Sequence, residues 1–202
     1  MQTRQKWTVR VIFYFLGLML MTLGISISVK SDLGVSPVSS IPYTITCVWG
    51  MEMGRATIVF HAALVLLQIV LLRRRFQLKN LLQVAVGVVF GLLTTACNAL
   101  MDFWPAPAHL AIRLAMMLIS VGLIALGLFF YVPARLVPLA GEGFTLTVSE
   151  LTRQPFSRMK VAFDVSMVSI SLLVCLIALG TLGSVGIGTV IAALLVLSLI
   201  HI

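Results

Sequence analysis

Apolar residues fall in six long blocks, separated by stretches rich in Gly, Pro, Ser, Thr and basic residues. The blocks run Val11 to Val29, Ala56 to Leu72, Leu81 to Met101, Leu114 to Ala134, Val165 to Ser184 and Val185 to Ile200. None contains Asp, Glu, Lys or Arg, and His61 and Gln68 are the polar interruptions of the second. A helix needs about 20 apolar residues to cross a hydrocarbon layer of about 30 Å. The shorter blocks reach across with tilt, local thinning or burial among neighbours. The pattern predicts an all-α polytopic membrane protein of about six transmembrane helices. The sixth is the shortest and opens with Gly186 and Gly188.

Two segments between the blocks do not read as ordinary loops. Lys30 to Arg55 and Arg135 to Lys160 far exceed the two to eight residues typical of helix connections. Both are also too apolar for a solvated loop. Gly34, Pro37 and Pro42 break the first, and Pro138, Gly141 and Gly143 break the second. A short helix is expected after each break, at Val38 to Val48 and at Gly143 to Leu151. Ser36 is a candidate cap for the first, and Glu142 sits at the start of the second. We read both segments as re-entrant hairpins, because non-helical backbone at membrane depth survives only when buried in protein or lining a wet cavity. Amphipathic helices lying in the interface are the alternative.

The two segments belong to a repeat. At a constant offset of 103 residues, Gly24 falls on Gly127, Val29 on Val132, Leu33 on Leu136, Thr44 on Thr147, Arg55 on Arg158 and Phe60 on Phe163. Residues 1–101 and 110–202 each read as helix, interrupted segment, helix, helix. With three spanning helices per copy, the second copy must run opposite to the first. Inverted repeats around interrupted helices are a signature of secondary transporters.

Charge sets the orientation. Composition is 60% hydrophobic and 10% charged, far below the usual share for a soluble domain. Arg4, Lys6 and Arg10 precede the first block. Arg73, Arg74, Arg75 and Lys79 follow the second, and Arg135, Arg153, Arg158 and Lys160 follow the fourth. Lys30, Arg55 and Arg113 fall on the other side. The positive-inside rule then places the N-terminus in the cytoplasm of a multi-pass protein of the cell inner (plasma) membrane. The net charge of +8 reads as topology signal and anionic-lipid contact, not as a nucleic-acid footprint. No cleavable signal peptide is expected, since the first block is too long for an h-region. Cys47, Cys97 and Cys175 lack metal-ligand spacing, and no metal or cofactor is expected.

Candidate chemistry centres on the interrupted segments. Short helices aiming their N-termini inward would present free N–H groups and positive dipole ends, which suits an anionic group. Ser36, Ser39, Ser40, Thr44, Thr145, Thr147 and Thr189 are the candidate substrate hydrogen-bonders. Glu142, flanked by glycines, is the candidate substrate and proton site, with a cap on the second short helix as its alternative. Asp164 and its repeat equivalent His61 are further proton-coupling candidates, because an ionisable group in a membrane helix is costly. An ion pair with Arg158 or Lys160 is the alternative for Asp164, and a packing role is the alternative for His61.

Four stretches carry a family resemblance. They are Asp32-Leu33-Gly34-Val35-Ser36-Pro37, Pro138-Leu139-Ala140-Gly141-Glu142-Gly143, Lys160 through Asp164, and Gly186-Ile187-Gly188-Thr189-Val190-Ile191. In this order they resemble the YczE/YyaS/YitT group of small bacterial integral membrane proteins. The resemblance implies a bacterial inner-membrane protein and supplies no substrate.

Enzyme chemistry is not expected, because no Ser-His-Asp set, HExxH or Walker loop appears. The reading is a small-solute secondary transporter with a central site between the repeats, proton coupling through Glu142 being the preferred variant. The alternative is a non-catalytic membrane partner or regulatory subunit of a larger complex. Expected partners are membrane lipids, an unidentified small molecule and, given so few helices, a second copy of the chain.

Overall fold

The computed structural model describes residues 2–105, 107–183, 185–186 and 188–189. Among them the protein is all-α. Its helices are α1 (Gln2–Ser31), α2 (Pro37–Trp49), α3 (Met53–Leu72), α4 (Leu82–Asp102), α5 (Leu110–Ala134), α6 (Ala140–Thr152) and α7 (Phe156–Leu179). Two 3-10 turns, Arg73–Arg75 and Leu78–Leu81, join α3 to α4. Five helices are long and apolar enough to cross a membrane: α1, α3, α4, α5 and α7. They carry exposed Leu66, Val70, Leu92, Leu118, Phe129, Leu173 and Ile177 on their outer faces, a surface that only lipid solvates well. This is a multi-pass membrane protein. The expected sixth helix, Val185 to Ile200, lies almost wholly outside the described residues.

Local chemistry explains the helix ends. Pro37 opens α2, where its missing N–H costs nothing. Ser36 holds the N-cap position, but its hydroxyl donates to Ser39 Oγ at 3.1 Å and caps no backbone N–H. Gly50 closes α2 in the left-handed region (φ 67°), its N–H donating to Thr46 O. Glu52 caps α3 by accepting from the N–H groups of Gly54 and Arg55 at 2.7 and 3.0 Å. The expected short helices extend one residue and three residues further toward their N-termini, and each gains one residue at its C-terminus.

The α1–α5 pair is the spine. Gly17 abuts Gly127, where an added Cβ would meet the Gly127 carbonyl at 2.7 Å. Gly24 abuts Ser120, where the corresponding approach is 2.8 Å. Residue numbers rise along one helix as they fall along the other, so the two pack antiparallel. Small residues let the backbones touch where lipid gives no hydrophobic drive to associate. On the flank of α1, the Thr22 hydroxyl meets Cys97 Sγ of α4 at 3.6 Å. A second small-residue seam joins α3 to α4, with Gly54 against Gly91 and His61 against Gly87.

The 103-residue offset recurs in the backbone. Asp32 and Arg135 share a left-handed conformation (φ 52° and 48°). Ser36 and Leu139, the N-cap positions of α2 and α6, have the same φ of −60° and ψ of 152°. Gly50 and Arg153 both end their helices left-handed. Packing follows suit: α2 lies against α3 and α7, and α6 lies against α7 and α3. Near the end of the described chain, Gly188 N–H donates to Leu33 O at 2.8 Å, and Gly186 packs on the same carbonyl. Gly34 makes this contact with φ 108°, a conformation only glycine adopts freely.

Candidate functional site

The N-termini of α2 and α6 meet. A Cβ built on Gly141 would lie 3.6 Å from Val38 Cγ1 and 3.7 Å from Phe163 Cε1. Around this contact Phe60 and Leu64 of α3, Phe163 and Met167 of α7, Ile41 of α2 and Phe144 of α6 form one apolar cluster. The α3 and α7 members lie midway along their helices. Each has its equivalent in the same cluster: Phe60 with Phe163, Leu64 with Met167, and Ile41 with Phe144.

Of the hydroxyl residues singled out in the sequence, Ser36 is half-buried and the others are buried, and most bond within their own helix. Ser40 donates to Pro37 O, Thr145 to Gly141 O and Thr147 to Gly143 O, at 2.6 to 2.9 Å. Ser39 accepts from Ser36. Thr44 meets Cys175 Sγ of α7 at 3.7 Å. Thr189 stands apart from them, its hydroxyl accepting from Gly186 N–H and abutting Gly34. The meeting point of the two short helices is therefore filled by apolar side chains, with polar groups turned onto local backbone.

Glu142 occupies the first turn of α6, where the helix dipole favours an acid. It does not cap the helix: Leu139 holds the N-cap position. Instead the Tyr131 hydroxyl donates to Glu142 Oε2 at 2.8 Å while accepting the Leu139 N–H. Tyr14 stacks by Tyr131, ring centroids 5.3 Å apart, and donates to Val137 O at 2.7 Å. Two tyrosines thus hold the 135–139 break and aim the carboxylate.

Asp164 pairs with Lys160 one turn earlier, Nζ to Oδ1 2.5 Å, and both side chains are buried. The Lys160 ammonium also lies 5.6 Å from the Phe163 ring centroid. His61 is 2% exposed among Phe60, Phe90 and Gly87. Its Nδ1 rests against the Gly87 backbone short of hydrogen-bond geometry, unpartnered among the described residues.

Two clefts open at opposite ends of the α1–α5 pair. One, about 290 Å³, is lined by Tyr14, Tyr131, Val132, Arg135, Glu142 and Leu146, among others. The other, about 260 Å³, is lined by residues including Ser26, Val29, Lys30, Tyr43, Asp102 and Asn98. Val29 is equivalent to Val132 and Tyr43 to Leu146, so the clefts share two equivalent wall positions.

A model of a family of unknown function, DUF6198, matches residues 8–202. The chain belongs to the DUF6198 family. It is also similar to the uncharacterised protein YyaS of Bacillus subtilis (strain 168), 23% identical over 201 residues, covering 96% of this chain and 91% of the relative. The resemblance noted from the motifs is consistent with both matches at the level of a broad family. No solved structure matches the chain.

In this DUF6198 member, several site-forming residues escaped the sequence reading. Arg10 and Arg113 read as flanking charges, yet each reaches across to the end of the opposing helix. Tyr14 and Tyr131 lie inside apolar runs and carry no pattern of their own. Gln68 and Gln83, both buried, bond each other at 3.0 Å, and Gln68 reaches Ala140 O at the start of α6. The 103-residue offset was the available signal for the arginines, since it maps Arg10 onto Arg113.

Proposed function

We propose that the protein is a non-enzymatic small-solute carrier whose halves, residues 1–101 and 110–202, form an inverted repeat with the N-terminus cytoplasmic. One observation carries the reading: Val38 lies beside its own equivalent, with its Cγ1 3.6 Å from where a Cβ on Gly141 would stand. A residue meets its repeat partner only where the axis relating the copies passes between them. The antiparallel α1–α5 pair sets that axis across the spans. Because the surrounding α3 and α7 residues lie midway along their helices, α2 and α6 are read as re-entrant, dipping to mid-depth from opposite faces.

The two end clefts are then the alternative openings, and the apolar cluster between them is the barrier that closes the path. The wall hydroxyls on α2 and α6, now bonded to local backbone, are the groups that replace substrate hydration when the barrier parts. Glu142 is the proton-coupling group, since it is a carboxyl at a cleft wall held by one hydroxyl donor. The test is uptake by purified protein in liposomes under an imposed pH gradient, with Glu142→Gln expected to remove the response to the gradient. Solute-independent behaviour of the wild type would move the reading to a membrane partner subunit.

A further inference from the structure

We propose that the cleft at the Arg113 end binds small α-amino acids as zwitterions. The inference deepens the transport reading by naming its substrate class. The cleft holds one cation and two carboxylates, Lys30, Asp102 and Glu52, with Ser26, Tyr43 and Asn98 on its walls. Glu52 is spoken for: its oxygens accept from Gly54 N–H, Arg55 N–H and the Thr95 hydroxyl. It contributes negative potential but little bonding capacity. Lys30 and Asp102 differ. Their nearest atoms are 3.9 Å apart, too far for a hydrogen bond, so each keeps its donors or acceptors free for a ligand.

That spacing selects the ligand. An α-amino acid carries its ammonium and carboxylate on one carbon, so the two charges face Asp102 and Lys30 side by side without moving either residue. A longer ω-amino acid separates its charges beyond the gap. A plain anion leaves Asp102 as a repelling neighbour, and a plain cation leaves Lys30 as one. A second observation points into the same space. The Ser26 side chain lines the cleft, is 1% exposed, and its Oγ has no hydrogen-bond partner among the described residues. An unpaired buried hydroxyl is costly unless something bonds it. A cleft of about 260 Å³ has room for an α-amino acid.

The opposite cleft repeats this charge arrangement with different residues. Arg135 and Glu142 supply a cation and a carboxylate there, with the hydroxyls of Tyr14 and Tyr131. The repeat equivalent of Lys30 is Pro133 and that of Glu142 is Ser39, so duplication did not copy the charges. Both openings nonetheless carry at least one group of each sign, as a solute carrying both signs requires of each face it meets.

The test is calorimetric titration of the purified full chain with L-alanine, propionate, isopropylamine and γ-aminobutyrate. L-Alanine is expected to bind saturably, and the other three at least about tenfold more weakly, each losing a charge-assisted contact. Asp102→Asn and Lys30→Gln should each weaken L-alanine by a similar factor. Ser26→Ala should weaken it less and leave the melting temperature unchanged or slightly raised, because the hydroxyl it removes has no hydrogen-bond partner among the described residues. Propionate binding as tightly as L-alanine, absence of saturable L-alanine binding, or Asp102→Asn binding like the wild type would each overturn the proposal. Liposome flux separates the two readings. Propionate flux without L-alanine flux sinks the zwitterion site and leaves the carrier. L-Alanine binding without flux of any solute sinks the carrier and leaves the site.

Discussion

Arg10 and Arg113, 103 residues apart, each bind the last carbonyls of the helix that carries the other. Arg10 donates from Nε to Ala134 O at 2.9 Å and from Nη2 to Arg135 O at 3.2 Å. Arg113 donates from Nε to Ser31 O at 2.7 Å and from Nη2 to Asp32 O. Ser31 and Asp32 are the equivalents of Ala134 and Arg135. A helix leaves its final carbonyls unpaired, and its C-terminus carries partial negative charge. A guanidinium answers both needs at once, and the antiparallel α1–α5 pair is latched at both ends.

The latches are unequal. Arg113 also pairs with the Asp32 carboxylate at 2.8 Å, whereas the equivalent residue at Arg10's end, Arg135, has no carboxylate to offer. Arg10→Ala and Arg113→Ala should each lower stability by about 1–3 kcal/mol, the worth of hydrogen bonds to a charged group. The Asp32 pair is exposed and adds little to this. Lysine at either position should recover less than half the loss, because an ammonium lacks the planar fork that spans two carbonyls. Thermal unfolding in detergent reads both effects, and full rescue by lysine would refute the two-carbonyl latch.

The glycine seam allows a sharper contrast. Gly17→Val and Gly127→Val force a side chain into backbone that already approaches a built Cβ within 2.9 Å. Each should cost about 1–3 kcal/mol or more through overpacking. Gly122→Ala, on the same α5 but with nothing within 4 Å, should be neutral or slightly stabilising. Equal losses at Gly122 and Gly127 in an unfolding assay would argue against this packing.

Lys160 and Asp164 form a buried pair whose role a double-mutant cycle can read. Asp164→Asn should cost about 3–5 kcal/mol by stranding a buried ammonium. Lys160→Met with Asp164→Leu should regain most of that stability, since a well-packed apolar pair is often neutral. If the double variant is stable yet transports nothing, the pair serves coupling. If it transports normally, the pair is structural.

Tyr131→Phe removes a hydroxyl that serves two partners, the Glu142 carboxylate and the Leu139 N–H. Leaving a buried donor unsatisfied should cost about 1–3 kcal/mol. Glu142→Gln keeps an acceptor for the hydroxyl, so its melting temperature should stay near that of the wild type. A matched drop in both variants would assign Glu142 to structure.

Topology is checked by cysteine labelling in a background lacking Cys47, Cys97 and Cys175. Asp32→Cys and Arg135→Cys, at equivalent left-handed positions, should label from opposite faces of sealed vesicles. Labelling from the same face would end the inverted-repeat reading.

The helices and their order were legible because apolar runs and glycine breaks are strong one-dimensional signals. The offset was legible too, and the glycine and proline breaks located α2 and α6 to within three residues at each end. Other features depend on side-chain reach, which spacing does not encode. Ser36 occupies a cap position, yet its hydroxyl bonds Ser39 Oγ and not a backbone N–H. Glu142 stood out as an acid between glycines, but its partner Tyr131 lies on another helix within an apolar run. Arg10 sits where the positive-inside rule expects a charge and Arg113 flanks a span on the other side, so both read as flanking charges and their reach across the pair was hidden.

The contact between Gly188 and Leu33 bears on how the chain is made. Leu33 leaves the ribosome well before Gly188 does. Until then the Leu33 carbonyl, at a bend held by Gly34, waits for its donor. The segment after α1 therefore enters the bilayer with an unfinished hinge, which the later-made backbone at Gly188 completes. Insertion can proceed helix by helix, but the bend after α1 reaches its final form only once the backbone around Gly188 has joined it.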